Sequence, residues 1–521
     1  MGVFIYLEIM PHQIEEKAWE SVYEETLELI HAYPFIDTIF DKETYHCNWQ
    51  FLRRTEERGL AYADGQLGWH TVGDERTLRL AESFFFVKNL QFYRDHSAKV
   101  GNYDDILFSK RLLFSLEMED FKVDDVTVFD SKTQGEPFHI PLLAIACLVE
   151  SRFPQHAIVR GDVTIGQMKR AVEWANSVLK IPITITKRVD SSHLLERIRR
   201  KITDENLALD ILFEVTMEEN DAKLGEFIRE EFSEEAIVAY FMKGFKESKI
   251  GTIGFSNRLH EYIRLGFRLE ELCDLCVLDE KGCQYDAKTF IKAVMSLEWK
   301  ADGNPMATLL DRGDEPETVY SQFGKAFAVM AGFKEPLYAV LSRAEVAEVL
   351  RTKLDTRFEI SKLLDDLLTE KEEENEQETS VLDEFLERFA DEFEEEEKVT
   401  YDVVWLDDLM GWKKGDALAP NIEQAVVGVK EFVEKSLMEN VDFYELFQKR
   451  SDTDKKRTLI QHNDYFYLHE KTWRTIFDKI EDEHFTNRVL GILTIVAEEM
   501  NRNKLCKALI NNQDLFEEYI L

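Results

Sequence analysis

Apolar side chains alternate over residues 2–9 up to the stop at Pro11, and in the next stretch Ile14, Ala18, Val22, Leu27 and Ile30 recur at helical spacing. The chain therefore opens with a strand followed by a helix. Between residues 35 and 74, short β-like pieces alternate with Gly59, Gly65, Gly68 and Gly73. The turn Gly73-Asp74-Glu75 then leads into an aromatic-rich run, 78–93, which reads as a buried helix with Asp74 as its N-cap. The clearest pattern is the stretch 132–185. It predicts helix 141–153, strand 157–160, helix 165–179 and strand 182–186, after a strand at 126–129. Thr164 and Gln167 form a capping-box start, Met168, Ala171, Val172, Ala175, Val178 and Leu179 share one helix face, and Pro182 stops the helix. Short connections in this order suggest a small α/β layer, parallel in part.

From about residue 190 the period is helical: 191–202, 205–214, 221–230, 233–247, 256–275 and 286–297. LYAVLSRAEVAEVLRTKL adds a strand-to-helix piece. A hinge at 371–379 and an acidic amphipathic helix at 381–397 follow, the latter with Val381, Leu382, Phe385, Leu386, Phe389 and Phe393 at helical spacing. Four or five further helices fill 401–521, with WLDDLMGW as an aromatic patch and VLGILTIVAEEM as the most buried segment. The expected organisation is an α/β domain at 1–200, a helical domain at 201–368, the acidic hinge and helix at 369–400 and a C-terminal helical domain at 401–521. The fold class is an α/β N-terminal domain followed by largely all-α domains, α-rich α+β as a whole. No repeat of 20 to 50 residues is visible, although an irregular α-solenoid could stack these helices without one.

Length supports this division, because 521 residues exceed what one core organises, and 44% hydrophobic residues with 36 Phe suffice for real cores. Charge changes the functional picture more. A net charge of −38, with 14 acidic against three basic residues between Lys371 and Lys398, repels phosphate backbones and favours a basic protein partner. Direct nucleic-acid binding is therefore disfavoured. No apolar run reaches transmembrane length, the N-terminus has no signal-peptide pattern, and six scattered cysteines are no disulfide framework, so a cytoplasmic protein without membrane contact is expected.

The motifs for phosphate loops, dinucleotide sites, nucleophile elbows, zincins and calcium loops are all missing, which points away from an enzyme; no cofactor is expected. Two loops could still converge on a pocket: Lys132, Thr133, Gln134, Gly135 and His139 before one helix, and Arg160, Gly161 and Asp162 at the carboxyl end of a strand, where open α/β sheets place ligands. Lys132, His139 and Asp162 are the catalytic candidates there, and Arg160, Asp162 and Gln134 the binding ones. The plainer alternative is that Gly161 supplies the turn and Asp162 bonds loop amides. Cys273, Cys276 and Cys283, with His260, form a possible zinc set. LEELCDLCVL, however, is a helical apolar face on which Cys acts as a small hydrophobe, so core packing is preferred and no metal is expected.

The string KTQGEPFHIPLLAIACLVESRFPQHAIVRGDVTIGQMKRAVEWAN resembles uncharacterised bacterial proteins of conflict systems, of the large immunity or phage-defence type, over about residues 130–200. It carries no catalytic motif, so the resemblance assigns no residue a role. The expectation is a non-enzymatic, protein-binding component of such a system, its acidic surface engaging a basic partner. The alternative is a hydrolase or nuclease-like effector with its site at the edge of the N-terminal α/β domain.

Overall fold

The computed structural model describes residues 3–97, 104–109, 112–113, 125–218, 220–297, 299–300, 337–338, 341–369, 408–498 and 500–521. The hinge at 371–379 and the acidic helix at 381–397 lie outside the described residues. In chain order the first part comprises β1 (Phe4–Ile9), α1 (Glu16–Ala32), β2 (Phe35–Asp41), β3 (Trp49–Arg54), β4 (Arg58–Leu60), β5 (Gln66–Asp74), β6 (Leu80–Val87), α2 (Leu90–Asp95), β7 (Val126–Lys132), α3 (His139–Arg152), β8 (Ala157–Gly161) and α4 (Ile165–Val178). Helices α5 (Ser191–Arg199), α6 (Glu205–Val215), α7 (Ala222–Glu231), α8 (Glu234–Glu247), α9 (Ile253–Arg264), α10 (Leu269–Cys273) and α11 (Ala287–Met295) follow. The fold is α-rich α+β: a β-containing N-terminal part, then helices. Among the described residues no helix is long and apolar enough to cross a membrane.

The chain divides into two compact units that are discontinuous in sequence. One contains residues 1–26, 89–135 and 139–390, and the other 27–88, 136–138 and 391–521.

In the first unit β1 lies between β7 and β8 and runs antiparallel to both. Neighbouring strands are thus antiparallel, which corrects the expectation of parallel pairing; β7 and β8 are parallel to each other but separated by β1. Helix α3 connects them and is buried from Leu142 to Val149, apolar all round as a fully enclosed helix must be. Helix α4 starts at the expected capping box, with Thr164 Oγ1 accepting from Gln167 N and Gln167 Oε1 accepting from Thr164 N. No strand forms at 182–186. Both backbone groups of Ile183 are taken by the Asn176 side chain, at 2.7 and 3.0 Å, and the free edge of β8 is closed by side chains instead. Val159 N donates to Glu150 Oε2 at 3.0 Å, and Val159 O accepts from Arg188 Nη2 at 2.5 Å. Helices α5–α11 and the helix Arg343–Phe358 share one core that includes Leu209, Phe241, Phe255 and Leu350. The expected single helix 256–275 is broken at Gly266, which adopts φ +74° between α9 and α10.

In the second unit, β2–β6 form an antiparallel sheet in the order β3-β2-β5-β4, with β6 on the other side of β5. The run expected as helix 78–93 is strand β6 followed by the short α2. Phe84 and Phe86 are buried with the alternation of a strand, and aromatic side chains suit a half-buried pleat. Asp74 is accordingly no helix cap. Its carboxylate accepts from Arg76 N, Thr77 N and Thr77 Oγ1 within the β5–β6 turn. Phe51 joins a core made otherwise from the C-terminal helices, among them Trp473, Leu490 and Leu509. In the segment VLGILTIVAEEM, expected to be the most buried, Val489, Leu490, Ile492 and Leu493 are buried on the helix Glu483–Leu493, while Val496 beyond it is 55% exposed.

Candidate functional site

The outward face of the three-stranded sheet gathers part of the expected pocket. Phe4 and Tyr6 point to one side of β1 while Ile5, Leu7 and Ile9 are buried on the other. Lys132 stands opposite Phe4 with its ammonium 4.9 Å over that ring, and Arg160 stands opposite Tyr6 with its guanidinium 5.3 Å over that one. Arg160 also holds the buried Glu8 through two bonds, at 3.0 and 2.7 Å. Asp162 Oδ2 accepts from Phe4 N at 3.0 Å and its own N–H donates to Phe4 O, which ties the start of β1 to the end of β8. Gly161 at φ +115° permits this closure, since a Cβ there would lie 2.4 Å from Phe4 O.

Lys132, Arg160 and Asp162 therefore come together, each occupied by a strand or a ring. His139 does not join them. It is fully buried, with Nδ1 2.6 Å from Thr133 Oγ1, and burial pushes its pKa down to about 4, opposed by a bond with Gln167 and aided by the Arg170 charge. Gln134, at φ 57°, and Gly135, at φ 71°, form the left-handed turn between β7 and α3.

Cys273 and Cys276 have no exposed surface and pack in the helical core around Leu272 and Leu275. Burial pushes the Cys273 thiol up to about 12 and the Cys276 thiol up as well, whereas a hydrogen bond from Cys276 lowers that of the half-buried Cys283. Among the described residues no group of three or more His, Cys, Asp or Glu side chains has the spacing to hold a metal ion.

Two features of the second unit carry chemistry that sequence reading did not find. The first is on the sheet. Asp37, 1% exposed, receives the Arg58 guanidinium on one carboxylate oxygen and His70 Nδ1 on the other. Residues on β2, β4 and β5 meet here because Asp37 and His70 are diagonal neighbours on one face and Arg58 lies opposite Gly68. The Tyr62 ring covers His70 edge-on at 5.1 Å, and His70 Nε2 is buried with no hydrogen-bond partner among the described residues. A carboxylate on Nδ1 fixes the tautomer that leaves Nε2 with its lone pair, the arrangement of a general base. His70 stands in the sequence as one His among 12, and only pairing across β2 and β5 brings Asp37 to it.

The second is on the C-terminal helices. Pro420–Glu439 packs through Ile422, Val426 and Val433, and Val441–Gln448 through Tyr444 and Phe447. Their other sides expose Phe432 at 51%, Met438 at 71%, Val441 at 50% and Leu446 at 62%. Between Val427 and Leu446 five carboxylates, Glu431, Glu434, Glu439, Asp442 and Glu445, accompany Lys430 and Lys435. Lys435 pairs with Glu439.

Comparison with known protein families, curated proteins and solved structures finds no match for this chain.

Proposed function

We propose that this chain is a non-enzymatic protein-binding component and that its docking surface includes the exposed side of the helices Pro420–Glu439 and Val441–Gln448. The observation that carries the reading is the exposure of four large apolar side chains on two consecutive helices. Carboxylates between them and a net charge of −38 select a basic amphipathic partner, apolar contacts supplying affinity and charge supplying encounter rate. A place in a bacterial conflict system rests on the resemblance of residues 130–200 alone. The test is affinity capture with the full chain and with the double variant Met438→Lys, Leu446→Lys. One basic protein recovered by the first, released by salt and lost with the second, supports the reading; equal recovery by both removes this surface from it.

A second reading, an enzyme of the hydrolase class, is favoured by the Asp37–His70 pair. It predicts slow turnover of activated ester or phosphodiester substrates that disappears in His70→Gln and falls steeply in Asp37→Asn, where the tautomer is no longer held. Identical rates in the natural chain and His70→Gln would end it.

A further inference from the structure

In the first unit, residues 273–285 bring two free cysteines side by side. After Cys273 the helix α10 widens into a π turn, Asp274–Leu278, with Cys276 at its centre. The chain then reverses, Lys281 N donating to Asp279 Oδ1 at 2.9 Å and Gly282 N to Asp279 O at 3.0 Å. Glycine is required at 282, because a Cβ there would lie 2.2 Å from Leu275 O. The returning backbone is laid on the turn by two bonds, Cys283 N to Leu275 O at 2.9 Å and Tyr285 N to Cys276 O at 2.8 Å. Cys276 and Cys283 therefore meet, and the Cys276 thiol donates a hydrogen bond to the Cys283 sulfur.

The two thiols are not equivalent. Cys276 is 0% exposed, whereas Cys283 is partly exposed, so a reagent from solvent meets Cys283 first. Helix α8 frames that sulfur: Cys283 Sγ donates to Met242 O at 4.0 Å, and Lys246, one turn further along, places a positive charge beside it. The hydrogen bond from Cys276, with the Lys246 charge added, holds the Cys283 thiol below its ordinary pKa against the opposing effect of burial. Cys47, the other partly exposed cysteine, has its thiol raised by burial instead.

Core packing explains a buried Cys276, but it does not require a second thiol at the surface against it. A metal set is not completed either, since no group of three or more ligating side chains forms among the described residues. What the arrangement fits is a pair with one thiol open to attack and one behind it to resolve the product. We propose that Cys283 and Cys276 form a peroxide-sensitive dithiol, with Cys283 as the attacking sulfur and Cys276 as the resolving one. The Cys283 thiolate attacks one oxygen of hydrogen peroxide, the O–O bond breaks, and the departing hydroxide takes up a proton as water, leaving a sulfenic acid on Cys283. The Cys276 sulfur then attacks the Cys283 sulfur, the S–OH bond breaks, and the thiol proton leaves with the hydroxyl as a second water. Two electrons pass from the sulfur pair to one peroxide, and the product is the Cys276–Cys283 disulfide.

Hydrogen peroxide added to the folded full chain, followed by a tryptic digest without reductant, tests this. Trypsin cuts at Lys281, between the two cysteines, so the disulfide shows as peptides 269–281 and 282–288 joined, about 2 Da below their summed mass. Fragmentation of the joined pair tells Cys276 from Cys273. This product is expected to form at least about tenfold faster than any modification of Cys47 or Cys147, and dithiothreitol should reverse it. In Cys276→Ala, which lacks the resolving thiol, dimedone should capture Cys283 as the sulfenic acid; in Cys283→Ala, Cys276 should stay a free thiol. Thermal melts show whether each variant is folded, and the result on the natural chain stands without them. An unreacted Cys283, its onward oxidation to sulfinic acid with no joined peptide, a bond from Cys283 to Cys273 or to a second chain, or dimedone capture of Cys276 in folded Cys283→Ala would each overturn the assignment.

Discussion

Replacing Glu150 with alanine tests how the edge of the first sheet is closed. Glu150 is 6% exposed and accepts from Val159 N at 3.0 Å and Thr186 Oγ1 at 2.5 Å, with Arg188 Nε at 3.3 Å. Arg188, 5% exposed, has no other carboxylate partner among the described residues and spends its remaining bonds on Thr186 Oγ1 and Val159 O. Alanine removes two hydrogen bonds accepted by a charged carboxylate, each worth about 1.5–3 kcal/mol net. It also strands a buried guanidinium, which by itself costs about 3–5 kcal/mol, so the two losses are of similar size. Replacing both residues with methionine removes the unpaired charge and should cost less than Glu150→Ala, about 1–3 kcal/mol, the remainder being the unpartnered Val159 N–H and C=O. Because the chain has two compact units, a single unfolding transition cannot be assumed, and hydrogen exchange of peptides covering Ala157–Gly161 is the appropriate assay. Protection there should fall about a hundredfold or more in Glu150→Ala and recover in part in the double variant. A loss below about 1 kcal/mol in the single variant, or a double variant as damaged as the sum of the two singles, would refute the account.

Three further outcomes follow from particular contacts. His139 is neutral in the folded protein, its pKa lowered from 6.5 to about 4, so the unfolded chain binds the extra proton; stability is fully present above about pH 6.5 and is lost as pH falls toward 4, by up to about 3 kcal/mol, and urea midpoints of His139→Gln should show a flatter profile over that window. Gly225→Ala places a Cβ 1.8 Å from Leu265 O, a clash with backbone that α7 cannot avoid without shifting; a loss of about 3 kcal/mol or more is expected in thermal melts of the first unit, and a neutral result would mean that the α7 contact is looser than described. Alkylation by iodoacetamide in the native state should modify Cys283 well before Cys147, Cys273 and Cys506, whose thiols burial pushes up, and mass spectrometry of the quenched digest would show the order.

Local signals carried far in this chain. The capping box at Thr164, the apolar face of α4 and most of the helical spacing after residue 190 describe contacts within a few residues and produced the expected elements, the break at Gly266 apart. The failures were equally local in origin. The aromatic run before Tyr93 and the segment after Pro182 have apolar content that suits either a helix or a strand, and what decides is the neighbour across the gap: β5 pairs with β6, while Glu150 and Arg188 occupy the backbone groups of Val159 that a further strand would need. Of the expected pocket, Lys132, Arg160 and Asp162 come together because β7 runs on to Lys132, three residues past its expected end, and pairs with β1 beside β8, and His139 departs because the helix starts two residues earlier than expected.

By itself, then, the sequence determined the fold class, the acidic character and most helices, since these depend on composition and on spacing along one segment. Tertiary structure alone decided that β1 separates β7 from β8, that Asp37 meets His70, and that the rings of Trp49 and Trp473, 424 positions apart, pack edge to face. Those juxtapositions arise from strand pairing and from the burial of distant apolar faces against one another, energies that belong to pairs of segments and leave no periodicity in either one.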